Sequence, residues 1–126
     1  MSTTTFHSFR ELLVWQRAMQ MAEVIFKLTS SFPEKENYGL ASLMRRSAVY
    51  IPCTIAEGKK RGTRKEFLYA LSLAQNTAVE LDTQMELAKN IHGEKFADFK
   101  KAEGLLLEVM KMLSVLRKKV TPAQKK

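Results

Sequence analysis

Apolar positions along the chain recur at steps of three and four residues, and the recurrence marks out four segments. In the first, Leu12, Trp15, Met19, Ala22, Phe26 and Thr29 form one stripe, with Val14, Ala18, Met21, Ile25 and Leu28 forming a second beside it. Two adjacent stripes make a wide apolar face, which predicts a helix buried on more than one side. Ser8-Phe9-Arg10-Glu11 fits a capping box in front of it, in which each side chain satisfies the other's orphan backbone donor. The helix is expected to end near Ser30, because Pro33 biases Phe32 out of the helical region.

The second segment begins between Glu34 and Tyr38, with Asn37 as a cap, and Gly39 weakens its first turn. Leu40, Leu43, Met44, Ser47, Ala48, Ile51 and Ile55 supply its inward face. Pro52 lies within this pattern, where it removes one backbone donor and crowds the carbonyl of Ala48, a cost of about 3 kcal/mol in a straight helix interior. The helix either stops near Tyr50 or bends and continues. Continuation is the expected outcome, since Ile55 and Ala56 keep the apolar spacing and no turn residue appears before Gly58.

Gly62 suits the left-handed residue after a helix end. Thr63-Arg64-Lys65-Glu66 is a second capping box, and it opens the third helix. Phe67, Leu71, Ala74, Ala78, Leu81, Met85 and Ala88 form the cleanest repeat in the chain, backed by Glu66, Glu80, Asp82 and Glu86 on the outer face. This helix is expected to stop near Gly93. The fourth is predicted over residues 94–119, on Phe99, Ala102, Leu106, Val109, Leu113, Leu116 and Val120, widened by Leu105 and Met112, with Thr121 and Pro122 ending it. No segment alternates with the period of a strand. The prediction is an all-α, antiparallel up-and-down four-helix bundle over residues 8–120, with helix 2 bent at Pro52, an N-terminal arm at 1–7 and a basic tail at 121–126.

Composition changes this picture little. At 126 residues, 45% apolar and 27% charged, the chain has the makings of one ordinary globular domain. No apolar run is long enough for a membrane span, and residues 1–5 lack the pattern of a secretory signal. The single cysteine, Cys53, and two distant histidines, His7 and His92, make a poor zinc set, so no metal or cofactor is expected and the default location is the reducing cytoplasm. Cys53 beside Pro52 is read as a small apolar packing residue, and Trp15, Phe26 and the methionines as core.

Charge adds more. Between residues 45 and 65 stand seven Lys and Arg, namely Arg45, Arg46, Lys59, Lys60, Arg61, Arg64 and Lys65, against one acid, Glu57, a local net of +6. Residues 117–126 hold five more positive charges. The whole chain carries only +8, so its basicity is concentrated in two places. Arg46, Tyr50, Thr54, Glu57 and Arg61 share one helical stripe, and Glu57 four residues before Arg61 is the favourable ion-pair order, so Glu57 is read as part of a structural ion pair. Cations near a helix C-terminus also answer its dipole, but that accounts for one or two charges rather than seven. The seven are therefore the candidate nucleic-acid-binding residues. No Ser-His-Asp ordering, phosphate loop or metal motif is present, and an enzyme is not expected.

Several motifs together resemble a known family. Leu12-x-Val14-Trp15-Gln16-x-Ala18 opens helix 1, Phe32-Pro33-x-x-Glu36-x-Tyr38-Gly39-Leu40 leads into helix 2, and Arg45-Arg46-Ser47-Ala48-Val49-x-Ile51-Pro52 continues it. Ile55-Ala56-Glu57-Gly58, Arg61, Lys65-Glu66-Phe67 and Glu80-Leu81-Asp82-Thr83-Gln84 follow. They resemble the proteins encoded in intervening sequences of bacterial 23S ribosomal RNA genes, a family of four-helix bundles. The family usually reads Ser-Ile-Pro-Ser-Asn-Ile-Ala-Glu-Gly where this chain has Tyr50 for the first serine and Cys53-Thr54 for Ser-Asn, and Asn76-Thr77 stand where relatives often have Gly-Ser. The resemblance implies assembly into a homopentameric ring. It also implies similarity to accessory proteins of the reverse transcriptase of diversity-generating retroelements, which bind RNA or DNA through basic surface. The family name records a gene location and establishes no ribosomal role.

Two functions follow as expectations. One is an oligomeric, non-enzymatic accessory protein that contacts the phosphates of RNA or DNA, with a reverse transcriptase or another protein as a further partner. The other is an oligomeric adaptor whose basic surface docks an acidic protein.

Overall fold

The computed structural model describes residues 8–36 and 38–122. Four α-helices account for most of them: α1 (Leu13–Thr29), α2 (Leu40–Arg61), α3 (Arg64–His92) and α4 (Phe99–Val120), with short 3-10 turns at Phe9–Glu11 and Glu34–Glu36. No strand occurs among the described residues. α1 packs on α2 and α4, α2 on α3, and α3 on α4, while the backbones of the diagonal pairs, α1 with α3 and α2 with α4, stay further apart. That order is an up-and-down four-helix bundle, and the most extensive of its interfaces is between α2 and α3.

Local signals set most of the helix ends. Thr63 caps α3: its Oγ1 accepts from Glu66 N at 3.1 Å and donates to Glu66 Oε1 at 2.8 Å. Gly62, at φ +89°, closes α2, and Gly93, at φ +95°, follows α3. Three predicted starts are corrected. Ser8 Oγ accepts from Arg10 N and so caps the 3-10 turn, whereas α1 begins later, at Leu13, with no side-chain cap. α2 begins at Leu40 with Gly39 as its N-cap, because the 3-10 turn Glu34–Glu36 takes up the residues assigned to its start. Asn37, the expected cap, lies outside the described residues. α4 begins at Phe99 rather than near Glu94, where Asp98 accepts from Lys101 N at 3.4 Å.

Helix α2 runs on through Pro52 to Arg61. Ile51, Pro52 and Ile55 are all buried, so packing on both sides of the lost hydrogen bond offsets its cost. The core is filled by Met21 and Ile25 of α1, Met44, Ile51 and Ile55 of α2, Leu71, Leu81 and Met85 of α3, and Leu106, Val109 and Leu113 of α4. In α1 the stripe of Val14, Ala18, Met21, Ile25 and Leu28 is the buried one. Of its neighbour, Ala22 and Thr29 are buried and Leu12 and Trp15 pack against the core, but Met19 and Phe26 are largely exposed. Leu43 and Cys53, both expected inside, also face outward, since they fall on the side of α2 away from α1 and α3.

Small residues set the α2–α3 spacing. Gly58 is buried, and a Cβ built there falls far inside van der Waals contact with the Ala70 Cβ. The backbones therefore meet at a distance that no larger residue at 58 permits.

At the far end of the bundle, two side-chain groups join the loops. His92 Nε2 lies 2.8 Å from Glu36 Oε2, and its ring stacks on Phe96 at 4.6 Å with Phe32 alongside at 5.2 Å. Lys89 Nζ bonds Glu103 at 2.8 Å and lies within 4 Å of Glu86 and Glu94, tying α3 to α4. The hydrogen bond to Glu103 holds the Lys89 ammonium above its ordinary pKa of 10.5. Desolvation opposes the rise, and the charges of Glu103, Glu86 and Glu94 add to it.

Two predictions follow from this packing. At an open helical position Gly→Ala gains about 1 kcal/mol. Gly58→Ala is expected instead to lose about 1–3 kcal/mol in urea unfolding, from overpacking against Ala70. The Gly58→Ala, Ala70→Gly double variant should be more stable than the sum of the single effects, and strict additivity would refute the close approach. For Lys89, a folded pKa above the unfolded value means the contribution is complete below pH 10.5 and disappears as pH rises through the folded pKa. The difference in urea midpoint between wild type and Lys89→Met should therefore be constant at neutral pH and shrink beyond pH 10.5; a difference that grows there would contradict the assignment.

Candidate nucleic-acid interface

The helix C-terminus at Arg61 and the helix N-terminus at Arg64 are separated only by Gly62 and Thr63, so five cations crowd one tight turn. Lys60, Arg61, Arg64 and Lys65 are exposed, and Lys59 is half-buried with its ammonium 5.6 Å from the Phe67 ring centroid. Arg61 bridges the two helices, 3.7 Å from Glu57 and 3.5 Å from Glu66. The predicted Glu57–Arg61 pair is thus present. Both side chains are more than half exposed, however, at 70% and 55%, so solvent screening leaves it worth less than about 1 kcal/mol.

Arg45 and Arg46 do not join this cluster. They lie some fourteen residues back along α2, about 20 Å at the helical rise. Arg45 turns toward α1, where its Nε donates to Thr29 Oγ1 at 2.7 Å and its guanidinium sits 5.7 Å from the Phe26 ring centroid. Thr29 in turn donates to the Ile25 carbonyl at 2.8 Å. This buried hydroxyl and its arginine form the polar strut between α1 and α2, a pairing of residues sixteen apart that no helical spacing reveals. Arg46 is exposed on the outward stripe shared with Tyr50, Glu57 and Arg61.

The bundle topology brings a second group toward the turn. With α2 and α4 running in the same direction, Arg117, Lys118 and Lys119 at the end of α4 point to the same end as Lys59, Lys60 and Arg61. Arg117 is partly engaged, its Nη1 donating to Gln75 of α3 at 2.5 Å. Lys125 and Lys126, the remaining cations of the tail, lie outside the described residues, as does His7.

Beside the turn, α2 and α3 enclose an open groove of about 580 Å³ above the Gly58–Ala70 contact. Tyr50 and Tyr69 line it together with Glu57, Arg61, Lys65 and Glu66. The sequence reading placed Tyr50 on one stripe with Arg46, Thr54, Glu57 and Arg61, of which Thr54 is buried, but missed Tyr69, which is 67% exposed. Its spacing from Lys65, four residues on α3, was the available signal. Among the described residues no group of three or more His, Cys, Asp or Glu side chains is placed to hold a metal ion, and no helix is long and apolar enough to cross a membrane.

A family model described as 23S rRNA-intervening sequence protein matches residues 10–115, which span all four helices. No curated protein matches the chain.

The geometry separates a weak ion pair, Glu57 with Arg61, from a structural hydrogen bond, Arg45 with Thr29. Glu57→Gln is expected to leave unfolding free energy within about 0.5 kcal/mol of wild type. Arg45→Met, which strips Thr29 Oγ1 of its donor, should cost about 1 kcal/mol or more. Thermal or urea denaturation of the two variants checks this, and the reverse ranking would return the structural role to Glu57.

Proposed function

The chain belongs to the 23S rRNA-intervening sequence protein family, and we propose that it acts as a homo-oligomeric, non-enzymatic protein that binds the phosphate backbone of RNA or DNA. The observation that carries this reading is the cluster of Lys59, Lys60, Arg61, Arg64 and Lys65 around one turn, of which, among the described residues, Arg61 alone is engaged by acids. Cations concentrated at one end attract a polyanion over several ångströms and release its counterions on contact. Recognition is of phosphate rather than base sequence, because no motif is set to read base edges. In this reading Arg46 extends the surface along α2, while Arg45 supports the fold. The cytoplasm is the matching location.

Assembly is part of the proposal. Leu43 of α2 and Leu87 and Ile91 of α3 are each about half exposed or more, on outward faces toward the end opposite the turn. Apolar groups so placed support contact between copies. On α1, Leu13, Met19 and Phe26 are exposed as well, so part of the apolar excess stays on that helix. The number five rests on the family resemblance. The same exposed apolar groups favour the second reading, an oligomeric adaptor that docks an acidic protein, with the cations meeting its acids.

Reversing Lys59, Lys60 and Arg64 to Glu tests the first reading. In wild type the logarithm of affinity for a single strand should fall with the logarithm of salt, at a slope of roughly −0.7 per neutralised phosphate. The triple variant should lose binding while keeping its helicity and its mass by light scattering, expected to be that of about five subunits, since exposed charges contribute little to stability. Unchanged RNA and DNA affinity in the folded variant would reject this surface. A wild type that binds neither at low salt would favour the adaptor.

A further inference from the structure

We infer that the α2–α3 groove is a stacking site for the bases of a single-stranded polynucleotide, with Tyr50 and Tyr69 as its two platforms. The inference rests on the phosphate-binding reading above and specifies its substrate class. Tyrosine at 41% and 67% exposure, on two helices but lining one groove, leaves aromatic faces available to a ligand. Lys65, one helical turn before Tyr69 on the same face, lines the groove with it, and Arg46, one turn before Tyr50, stands exposed beyond its lining. Rings within the groove thus have cations beside and beyond them, as binding a strand of phosphates and bases requires.

The floor suits a base as well. Gly58 and Ala70 meet beneath the groove, so its bottom is small, apolar and tightly closed. The two acids in its wall, Glu57 and Glu66, both face Arg61, at 3.7 and 3.5 Å, which offsets their repulsion of a phosphate. The interior is close to neutral and the uncompensated cations Lys59, Lys60 and Arg64 stand at the turn that closes one end, where they would meet the phosphates.

Gly58 marks the level of Tyr69, so the two platforms lie about 12 Å apart along the groove, eight residues of helix. They serve two bases rather than clamping one. A duplex keeps its base faces stacked on each other and out of reach of such platforms, which selects for single strands. A two-fold contact with a second copy fits the site poorly, since it would set the same cation cluster against itself.

Fluorescence anisotropy with labelled oligouridylate, oligodeoxythymidylate and an abasic strand of equal length tests the site. Wild type should bind at least one of the based strands about tenfold or more tighter than the abasic strand. Tyr50→Leu and Tyr69→Leu should each weaken that binding about tenfold and leave abasic binding unchanged, while Tyr50→Phe and Tyr69→Phe, which retain the ring, should behave as wild type. Comparison of the two based strands identifies RNA or DNA as the ligand. Equal affinity for based and abasic strands, or based-strand affinity indifferent to both leucine substitutions, would overturn the stacking site while leaving phosphate binding intact. Leucine variants that change the assembly mass would identify the groove as a contact between copies and also overturn it. Absence of wild-type binding to all three strands would instead defeat the reading on which the inference rests.

Discussion

At Gly58 the α2 backbone comes so close to α3 that a single added carbon would collide with Ala70, and much of the molecule follows from that approach. Small residues recur on the buried faces of both helices, with Ala41, Ala48 and Gly58 on one and Ala70, Ala74 and Ala78 on the other. Each contributes little apolar area by itself. Close packing makes up for this by bringing many atoms into contact along two long helices, and the larger Met44, Ile51, Ile55, Leu71 and Met85 fill the space behind them. The same approach gives the outer groove a floor of small residues, with Tyr50, Glu57, Arg61, Lys65, Glu66 and Tyr69 along its walls.

Helix direction accounts for the charge distribution. Lys59, Lys60 and Arg61 occupy the last turn of α2, and Arg117, Lys118 and Lys119 the last turn of α4. Each set is locally favourable, because a helix C-terminus carries partial negative charge. In an up-and-down bundle the second and fourth helices end on the same side, so two ordinary capping choices add up to one strongly basic end. Arg64 and Lys65, placed at the start of α3 against the dipole preference, raise the density further and are not explained by helix stability. They are the charges that a function has to account for.

The opposite end is built differently. His92 with Glu36, flanked by Phe32 and Phe96, joins the two loops there, and Lys89 with Glu103 joins α3 to α4. These are partly buried pairs between residues far apart in sequence, whereas the basic end relies on exposed charges with few fixed partners. Partly buried side-chain pairs gather at one end and available charge at the other.

Read alone, the sequence determined the four helices, because each repeats its apolar residues at the helical period and Gly62, Thr63 and Gly93 punctuate the connections with local chemistry. It also determined that α2 continues through Pro52, since the buried spacing resumes at Ile55. The starts of α1, α2 and α4 were less legible, because short 3-10 turns and loop residues compete with the helix for the same polar side chains. What faces outward on a helix with apolar residues on several sides, such as Phe26, Leu43 or Cys53, depends on where the neighbouring helices lie, and periodicity cannot supply that. The seven cations were visible as a run, but only the packed bundle separated Arg45, bonded to Thr29 sixteen residues away, from the five at the turn. It alone set Tyr69 in the same groove as Tyr50 and turned the end of α4 toward the end of α2, because those relations join different helices and are created by their packing.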